Sequence, residues 1–152
     1  MYPSNFAAEN PNRAAFVMAG TGEQVSYREY EARSNQLAHV LKSEGLEFRD
    51  HYSIFMENNS RYLECCGAGE RSGLYYTCIN SYLKGDELAY ILNNSESKIL
   101  ITSAEKLPIA EEAIKICPKI QKCLVVDAPG NGHQIVNFEK TVQAFPTSPI
   151  NE

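Results

Sequence analysis

Apolar residues along this chain alternate between short continuous runs and segments in which they recur every three or four positions. Continuous runs predict buried strands, and the spacing of three and four predicts amphipathic helices. Strands alternating with helices are typical of an α/β fold, a mostly parallel sheet with helices on both faces and right-handed crossovers. The predicted strands are 52–56, 74–79, 97–102 and 122–127, and the predicted helices between them are 62–72, 85–92 and 105–117.

Clear local signals precede the first of these strands. Residues 14–25 predict a small hairpin with a glycine-containing turn. Ser26 and Glu29 have the spacing of a capping box at the start of a long helix, and Gly45 supplies the residue that ends it. Towards the carboxyl terminus the pattern weakens, and 136–145 predicts one short helix.

Composition narrows the class of protein further. With 152 residues, 43% of them hydrophobic, the chain can bury the core of one compact domain. Its net charge of -5, without a cluster of Lys and Arg, disfavours nucleic acid as a partner. No apolar run approaches the roughly 20 residues of a transmembrane helix, so no transmembrane segment is predicted.

The five cysteines form no CxxC pair, which disfavours a disulfide framework and favours a reduced, cytoplasmic chain with buried thiols. Adjacent Cys65 and Cys66 are a candidate redox pair. Disulfide geometry rarely permits neighbouring residues on a helix to pair, so we expect both thiols to be packed. The other three are Cys78, Cys117 and Cys123.

Gly67 and Gly69 suggest a phosphate-binding loop, but the third glycine position of G-x-G-x-x-G falls on Ser72. Close packing of a helix on the sheet is the favoured interpretation. Other polar candidates lack the spacing of a metal site or of a nucleophile elbow. They are His39, His51 and His133, Ser60, Ser72 and Ser81, and a tyrosine group that could line an apolar pocket, Tyr75, Tyr76 and Tyr82. No catalytic, cofactor-binding or metal-binding residue is predicted.

Several segments nevertheless occur in a characteristic order. They are 23–30 (EQVSYREY), 33–38 (RSNQLA), 54–58 (IFMEN), 73–80 (GLYYTCIN), 86–92 (DELAYIL) and 95–102 (SESKILIT). This order resembles the opening of the adenylate-forming (AMP-binding) enzymes, where G-x-x-V-[ST]-Y-x-E-L precedes S-N-x-L-A. The sequence of residues 71–76 (RSGLYY) is most similar to that of bacterial fatty-acyl-CoA synthetases, the long-chain-fatty-acid–CoA ligases.

The resemblance implies the N-terminal portion of the adenylate-forming enzyme fold, within a parent ligase that uses ATP, Mg²⁺ and coenzyme A. Such a parent activates a fatty or other carboxylic acid as its acyl adenylate and transfers the acyl group to coenzyme A. The family's phosphate-binding loop, [ST]-S-G-T-T-G-x-P-K, has no counterpart here. We therefore interpret 1–145 as the N-terminal α/β portion of the AMP-binding domain and 146–152 as a linker toward the missing phosphate-loop region.

On this interpretation the fragment is inactive alone, binds none of these cofactors tightly, and has the remainder of the same polypeptide as its partner. An open sheet edge or apolar face would favour self-association of the fragment. Two alternatives stay open. One is a self-standing α/β binding or regulatory module, and the other is an adenylation domain that serves a carrier protein.

Overall fold

The computed structural model describes residues 4–150, which form six helices and seven strands. In chain order these are α1 (Ser4–Glu9), β1 (Ala14–Val17), β2 (Gln24–Ser26), α2 (Tyr27–Ser43), β3 (His51–Phe55), α3 (Tyr62–Ser72), β4 (Tyr75–Cys78), α4 (Gly85–Asn94), β5 (Ile99–Ser103), α5 (Leu107–Ile114), β6 (Lys122–Val126), β7 (Ile135–Asn137) and α6 (Phe138–Gln143).

Five strands form one parallel sheet in the order β4-β3-β5-β6-β7, which confirms the predicted α/β class. Ser53 in β3 pairs with Thr77 on one side and with Leu100 on the other. Strands β1 and β2 pair separately as the predicted antiparallel hairpin. Numbered within the sheet, the strand order is 2-1-3-4-5, a common order of doubly wound folds, and it reverses between β3 and β5.

Each face of the sheet buries its own core, because alternate residues of a strand point to opposite faces. Tyr52 and Ile54 pack in one cluster with helices α2, α3 and α6. Phe55 packs in the other cluster with α4 and α5. Helices therefore cover both faces, as the near-continuous apolar strands predicted.

The C-terminal part of the prediction was wrong in one respect, because 136–145 is not a single helix. Ile135–Asn137 is the edge strand β7, paired in parallel with β6. The side chain of Asn137 then accepts a hydrogen bond from the Lys140 amide at 2.7 Å and starts α6. An asparagine N-cap holds extended backbone, so the strand and the helix meet at this residue.

The amino-terminal helix α1 has no clear sequence signal and was not predicted. It packs on α2, where the rings of Phe6 and Tyr27 meet edge to face with centroids 4.6 Å apart. Within residues 4–150, no helix combines the length and the apolar character needed to cross a bilayer.

Residues 145–148 lie along α2. The amide nitrogens of Asn35 and Gln36 each donate a 2.9 Å hydrogen bond, to the carbonyl oxygens of Thr147 and Phe145. His39 Nε2 lies 3.0 Å from the Ser148 carbonyl oxygen. The backbone after α6 is thus held against the helix by side chains more than a hundred positions earlier in the chain.

Candidate functional site

The carboxyl ends of β3 and β5 define the candidate site, because ligands of open parallel sheets bind where the strand order reverses. Four residues meet there, and we call them the carboxyl-edge cluster: Glu57, Asn59, Ser103 and Lys106. Ser103 Oγ donates to Glu57 Oε2 at 2.5 Å, and Asn59 Nδ2 donates to Glu57 Oε1 at 3.3 Å. Ser103 Oγ also accepts from the Lys106 amide at 3.3 Å.

Glu57 is held as a carboxylate in this cluster. Burial by itself raises the pKa of Glu57, but hydrogen bonds from Ser103, its own backbone and Asn59, with the nearby charge of Lys106, outweigh burial. The pKa of Glu57 is consequently lowered below its ordinary value. The carboxylate is therefore ionised at neutral pH and has its hydrogen-bonding capacity largely used.

The cation of the cluster, Lys106, is paired as well. Its ammonium nitrogen lies 2.8 Å from Glu105 Oε1, and this hydrogen bond raises the pKa of Lys106. The same nitrogen lies 5.7 Å from the centre of the Tyr82 ring. Tyr82 itself is 89% exposed, whereas the Lys106 side chain is only 14% exposed, so this end of the sheet presents an accessible ring beside a largely covered cation.

A second group of charges lies at the start of α3, near the same end of the sheet. The buried carboxylate of Glu64 lies 3.3 Å from Arg61 and 3.9 Å from Arg33, measured to guanidinium nitrogens. Arg61 also reaches Glu139 at 4.0 Å and covers the Phe138 ring. Burial raises the pKa of Glu64 to about 7, although both arginines oppose that rise.

These geometries describe a polar surface more than an assembled reaction centre. Across residues 4–150, no three or more His, Cys, Asp and Glu side chains come together in a way that could hold a metal ion. Glu57 and Glu64 are each satisfied by neighbours on the chain itself. Ser103 Oγ lies beside the Glu57 carboxylate, but Ser103 is buried and its hydroxyl is shared between Glu57 and the Lys106 amide, so this contact holds the strand ends together. The exposed ring of Tyr82 next to the cluster is available to contact a partner.

A groove of about 780 Å³ opens at the other end of the sheet, beside the loops that enter β3 and β4. We call it the amino-end groove, and its lining includes Gly45, Phe48, Gly73, Leu74 and Ile150. Phe48 is 73% exposed there. Gly73 ends α3 with φ of +64°, the left-handed conformation that favours glycine.

The glycines of the suggested phosphate loop serve helix packing, as the favoured interpretation predicted. Both lie inside α3. A Cβ added at Gly67 would lie 2.6 Å from Tyr30 Oη, and one added at Gly69 would lie 2.5 Å from Tyr52 Oη. The glycines let α3 approach α2 and the sheet closely.

The other sequence candidates are dispersed. His39 lies on α2, His51 begins β3 and stacks near Tyr75 with ring centres 5.0 Å apart, and His133 lies in a loop. The three tyrosines do not share a pocket, since each meets a different neighbour. Those neighbours are His51 for Tyr75, Tyr52 for Tyr76 and Lys106 for Tyr82.

The three serines are dispersed as well. Ser72 Oγ donates to the carbonyl oxygen of Ala68 at 2.7 Å within α3. Ser60 and Ser81 follow β3 and β4, in separate loops. None of the three belongs to the carboxyl-edge cluster.

The carboxyl-edge cluster itself was not identified from the sequence. Glu57 and Ser103 are 46 positions apart, and no local spacing of polar residues marks either as part of a site. The signal that could have found them is topological: polar residues that end buried strands on either side of a reversal in strand order.

Fold and site together define an open, doubly wound α/β unit whose polar groups meet at the reversal of strand order. The chain belongs to the AMP-binding enzyme family, which it matches over residues 4–150. It is 27% identical over 139 residues to acetyl-coenzyme A synthetase of Coprinopsis cinerea, a match that covers 83% of this chain and 21% of that protein. It is 31% identical over 107 residues to medium-chain-fatty-acid–CoA ligase of Ectopseudomonas oleovorans, covering 70% of this chain and 19% of that protein.

Solved structures agree on the fold. A crystal structure of an anthranilate CoA ligase in complex with anthranoyl-AMP superimposes with a TM-score of 0.88 at 22% identity, over 99% of this chain and 28% of that one. The chain spans about a fifth of the length of the two curated relatives, the acetyl-coenzyme A synthetase and the medium-chain-fatty-acid–CoA ligase. The family relationship predicted from the order of segments is confirmed.

Proposed function

We propose that this chain is the N-terminal part of the AMP-binding domain of an acyl-CoA synthetase. In that enzyme a carboxylate attacks the α-phosphate of ATP to give an acyl adenylate and pyrophosphate, and the thiol of coenzyme A then displaces AMP. The family match over residues 4–150 carries this proposal. That the chain spans about a fifth of its curated relatives supports a larger catalytic unit.

The acid that we propose as substrate is a fatty acid. Similarity to the medium-chain-fatty-acid–CoA ligase, at 31% identity, supports this choice. Relatives that act on other acids, such as the 4-hydroxybenzoate–CoA/benzoate–CoA ligase of Rhodopseudomonas palustris at 25% identity, define the competing substrates. Acetate is a further competing substrate, because the chain is also similar to acetyl-coenzyme A synthetase.

The part that we propose for these residues is structural. The carboxyl-edge cluster would face the rest of the polypeptide, with the exposed ring of Tyr82 beside it available for contact and with Glu57 and Lys106 held by their neighbours. Residues 146–152 would lead towards the phosphate-binding loop. Binding ATP with Mg²⁺ needs preorganised hydrogen-bond donors around the phosphates. We assign these donors to that later region, so this chain alone would be inactive.

Calorimetric titration with ATP and Mg²⁺ tests this division of labour, applied to the 152-residue chain and to the longest polypeptide that its open reading frame encodes. Thioester formation from octanoate, palmitate, benzoate or acetate with coenzyme A is assayed in parallel. We expect binding and activity in the longer polypeptide alone, with fatty acids preferred. Specific micromolar binding of ATP by the 152-residue chain would contradict the structural role.

Two further results would favour the alternatives. Transfer of the acyl group to a phosphopantetheinyl carrier protein instead of coenzyme A would indicate an adenylation domain of that kind. An open reading frame that ends at codon 152 would favour a self-standing module.

A further inference from the structure

Two cysteines from different elements meet on the surface of α3. Cys66 lies half-buried on the helix, and Cys78 lies exposed at the end of the edge strand β4. The packing register brings them together. Gly69 lies against Tyr76, because a Cβ added at Gly69 would be 2.7 Å from Tyr76 Cδ1. Cys78 is two residues beyond Tyr76 on the same face of the strand, and Cys66 is three residues before Gly69 on the same face of the helix.

Helix α3 packs tightly on the sheet here. Gly69 leaves no room for even a methyl group above β3 and β4, so the backbone of α3 lies close to the sheet. A disulfide requires Cα atoms about 4.4–6.8 Å apart. The close contact at Gly69 brings the backbones of α3 and β4 towards such a separation.

The two thiols interact. Burial raises the pKa of Cys66 to about 12. The neighbouring Cys78 sulfur adds to that rise, both by charge repulsion and as a hydrogen-bonding partner. The hydroxyl of Tyr62, one turn earlier on α3, also has Cys78 as a hydrogen-bonding neighbour. Cys78 is therefore an accessible thiol with the Tyr62 hydroxyl beside it, and Cys66 is the half-buried thiol positioned behind it.

The other cysteines lack this arrangement. Cys65, next to Cys66, is fully buried in the core beneath α3. Cys117 and Cys123 are buried on the opposite face of the sheet. The adjacent pair suggested by the sequence, Cys65 and Cys66, thus gives way to a pair from two elements.

We propose that Cys66 and Cys78 form a reversible disulfide, with a low-molecular-weight disulfide such as oxidised glutathione as the oxidant. The Cys78 thiolate attacks one sulfur of glutathione disulfide, whose S–S bond breaks and releases one glutathione thiolate. Cys66 loses its proton to water and attacks Cys78 Sγ, expelling the second glutathione. Two protein thiols are oxidised to one disulfide, and glutathione disulfide is reduced to two thiols.

The product would join α3 to the free edge of the sheet. A cross-link at this position fixes β4 against the helix that covers it. This inference is independent of the proposed enzymatic function, because it concerns thiols outside the carboxyl-edge cluster.

Mass spectrometry of the chain treated with oxidised glutathione tests the pair. Trypsin cuts after Arg61, Arg71 and Lys84, so Cys66 and Cys78 fall in separate peptides, 62–71 and 72–84. We expect the intact chain to lose two hydrogens, a linked 62–71/72–84 peptide to appear without reductant, and dithiothreitol to restore both thiols. The same treatment of Cys65→Ser and Cys117→Ser should leave the linkage in place.

The Cys78→Ser variant should abolish the linkage completely. Because Cys78 is exposed, this substitution leaves the core intact, so loss of the linkage is not confused with unfolding. The Cys66→Ser variant should stop at a mixed disulfide of glutathione with Cys78. A stable mixed disulfide in the unsubstituted chain, a bond within peptide 62–71, or no oxidation of Cys78 would overturn the proposal.

Discussion

Gly69 of α3 lies directly over the phenol of Tyr52 in β3, and a Cβ at position 69 would come within 2.5 Å of Tyr52 Oη. The phenol cannot move aside. Its ring is fully buried, and its hydroxyl donates a 2.5 Å hydrogen bond to the carbonyl oxygen of Cys65. The ring of Tyr76 closes the other side of the same space. Close packing therefore requires glycine at position 69.

We expect Gly69→Ala to destabilise the chain. Alanine favours the helix by about 1 kcal/mol, whereas overpacking a filled core costs about 1–3 kcal/mol, which leaves a net loss of up to about 2 kcal/mol. Urea unfolding followed by circular dichroism measures this change. Gly20→Ala is the control, because a Cβ at Gly20 meets no atom within 4 Å. A Gly69→Ala chain as stable as the parent would show that α3 is free to move away from the sheet.

The elements that the sequence predicted correctly are those defined by short-range signals. Ser26 and Glu29 form the predicted capping box, in which the Glu29 amide donates to Ser26 Oγ at 3.3 Å and the Ser26 amide donates to Glu29 at 2.8 Å. The hydrogen bonds that the Ser26 amide and the Ser26 hydroxyl donate to the Glu29 carboxylate lower the pKa of Glu29. Groups three residues apart are brought together by the helix itself, so local sequence is sufficient to identify them.

Such local signals do not predict contacts between residues that are far apart in the sequence. Glu57 and Ser103 meet because parallel strands β3 and β5 are neighbours, and no local pattern states which strands are neighbours. The pairing of β7 escaped prediction for the same reason, since Ile135–Asn137 is short and its partner β6 determines its conformation. Sequence patterns thus predicted the layers, and strand order determined the site.

Removing the Ser103 hydroxyl tests how firmly the carboxyl-edge cluster is held. In Ser103→Ala, Glu57 loses its shortest hydrogen bond, so we expect its pKa to rise and the free energy of unfolding at pH 7 to fall by about 1 kcal/mol. Carboxyl ¹³C NMR follows the titration of Glu57. Ser148→Ala, at an exposed position, is the matched control. An unchanged pKa of Glu57 would contradict the hydrogen bond.

The pH dependence of this loss has a defined sign. The lowered pKa of Glu57 means that its contribution is present above the pKa of the unfolded chain and is lost as the pH falls through the pKa of the folded chain. The difference in stability between Ser103→Ala and the parent chain should therefore shrink in acid.

Glu64 should give the opposite pH dependence. Its pKa rises from the ordinary 4.5 to about 7, so between these values the folded chain holds a proton that the unfolded chain has lost. The free energy of unfolding should fall as the pH rises through this interval and become level above it. Glu64→Gln should lack this fall, and Glu23→Gln, at an exposed position, should retain it. Identical profiles for Glu64→Gln and the parent, measured by urea unfolding, would contradict the raised pKa of Glu64.

The free edge of β4 is where we expect the isolated chain to associate with itself. Strand β4 pairs with β3 on one side and has no strand on its other side within residues 4–150. Tyr75, at the start of this edge, is 55% exposed. An unpaired edge strand with an exposed aromatic side chain is a template for pairing with a second copy. Sedimentation velocity should therefore show an average mass that increases with protein concentration.

Tyr75→Lys should shift this association to higher concentrations, because a lysine on an edge strand opposes pairing with another strand. Tyr90→Lys is the matched control, since Tyr90 is 71% exposed on α4 and the substitution adds the same charge away from β4. If both variants weaken association equally, general charge repulsion and not the strand edge governs it. A clean monomer at every concentration would show that twist and side chains already protect β4, and that the edge needs no covering segment to remain soluble.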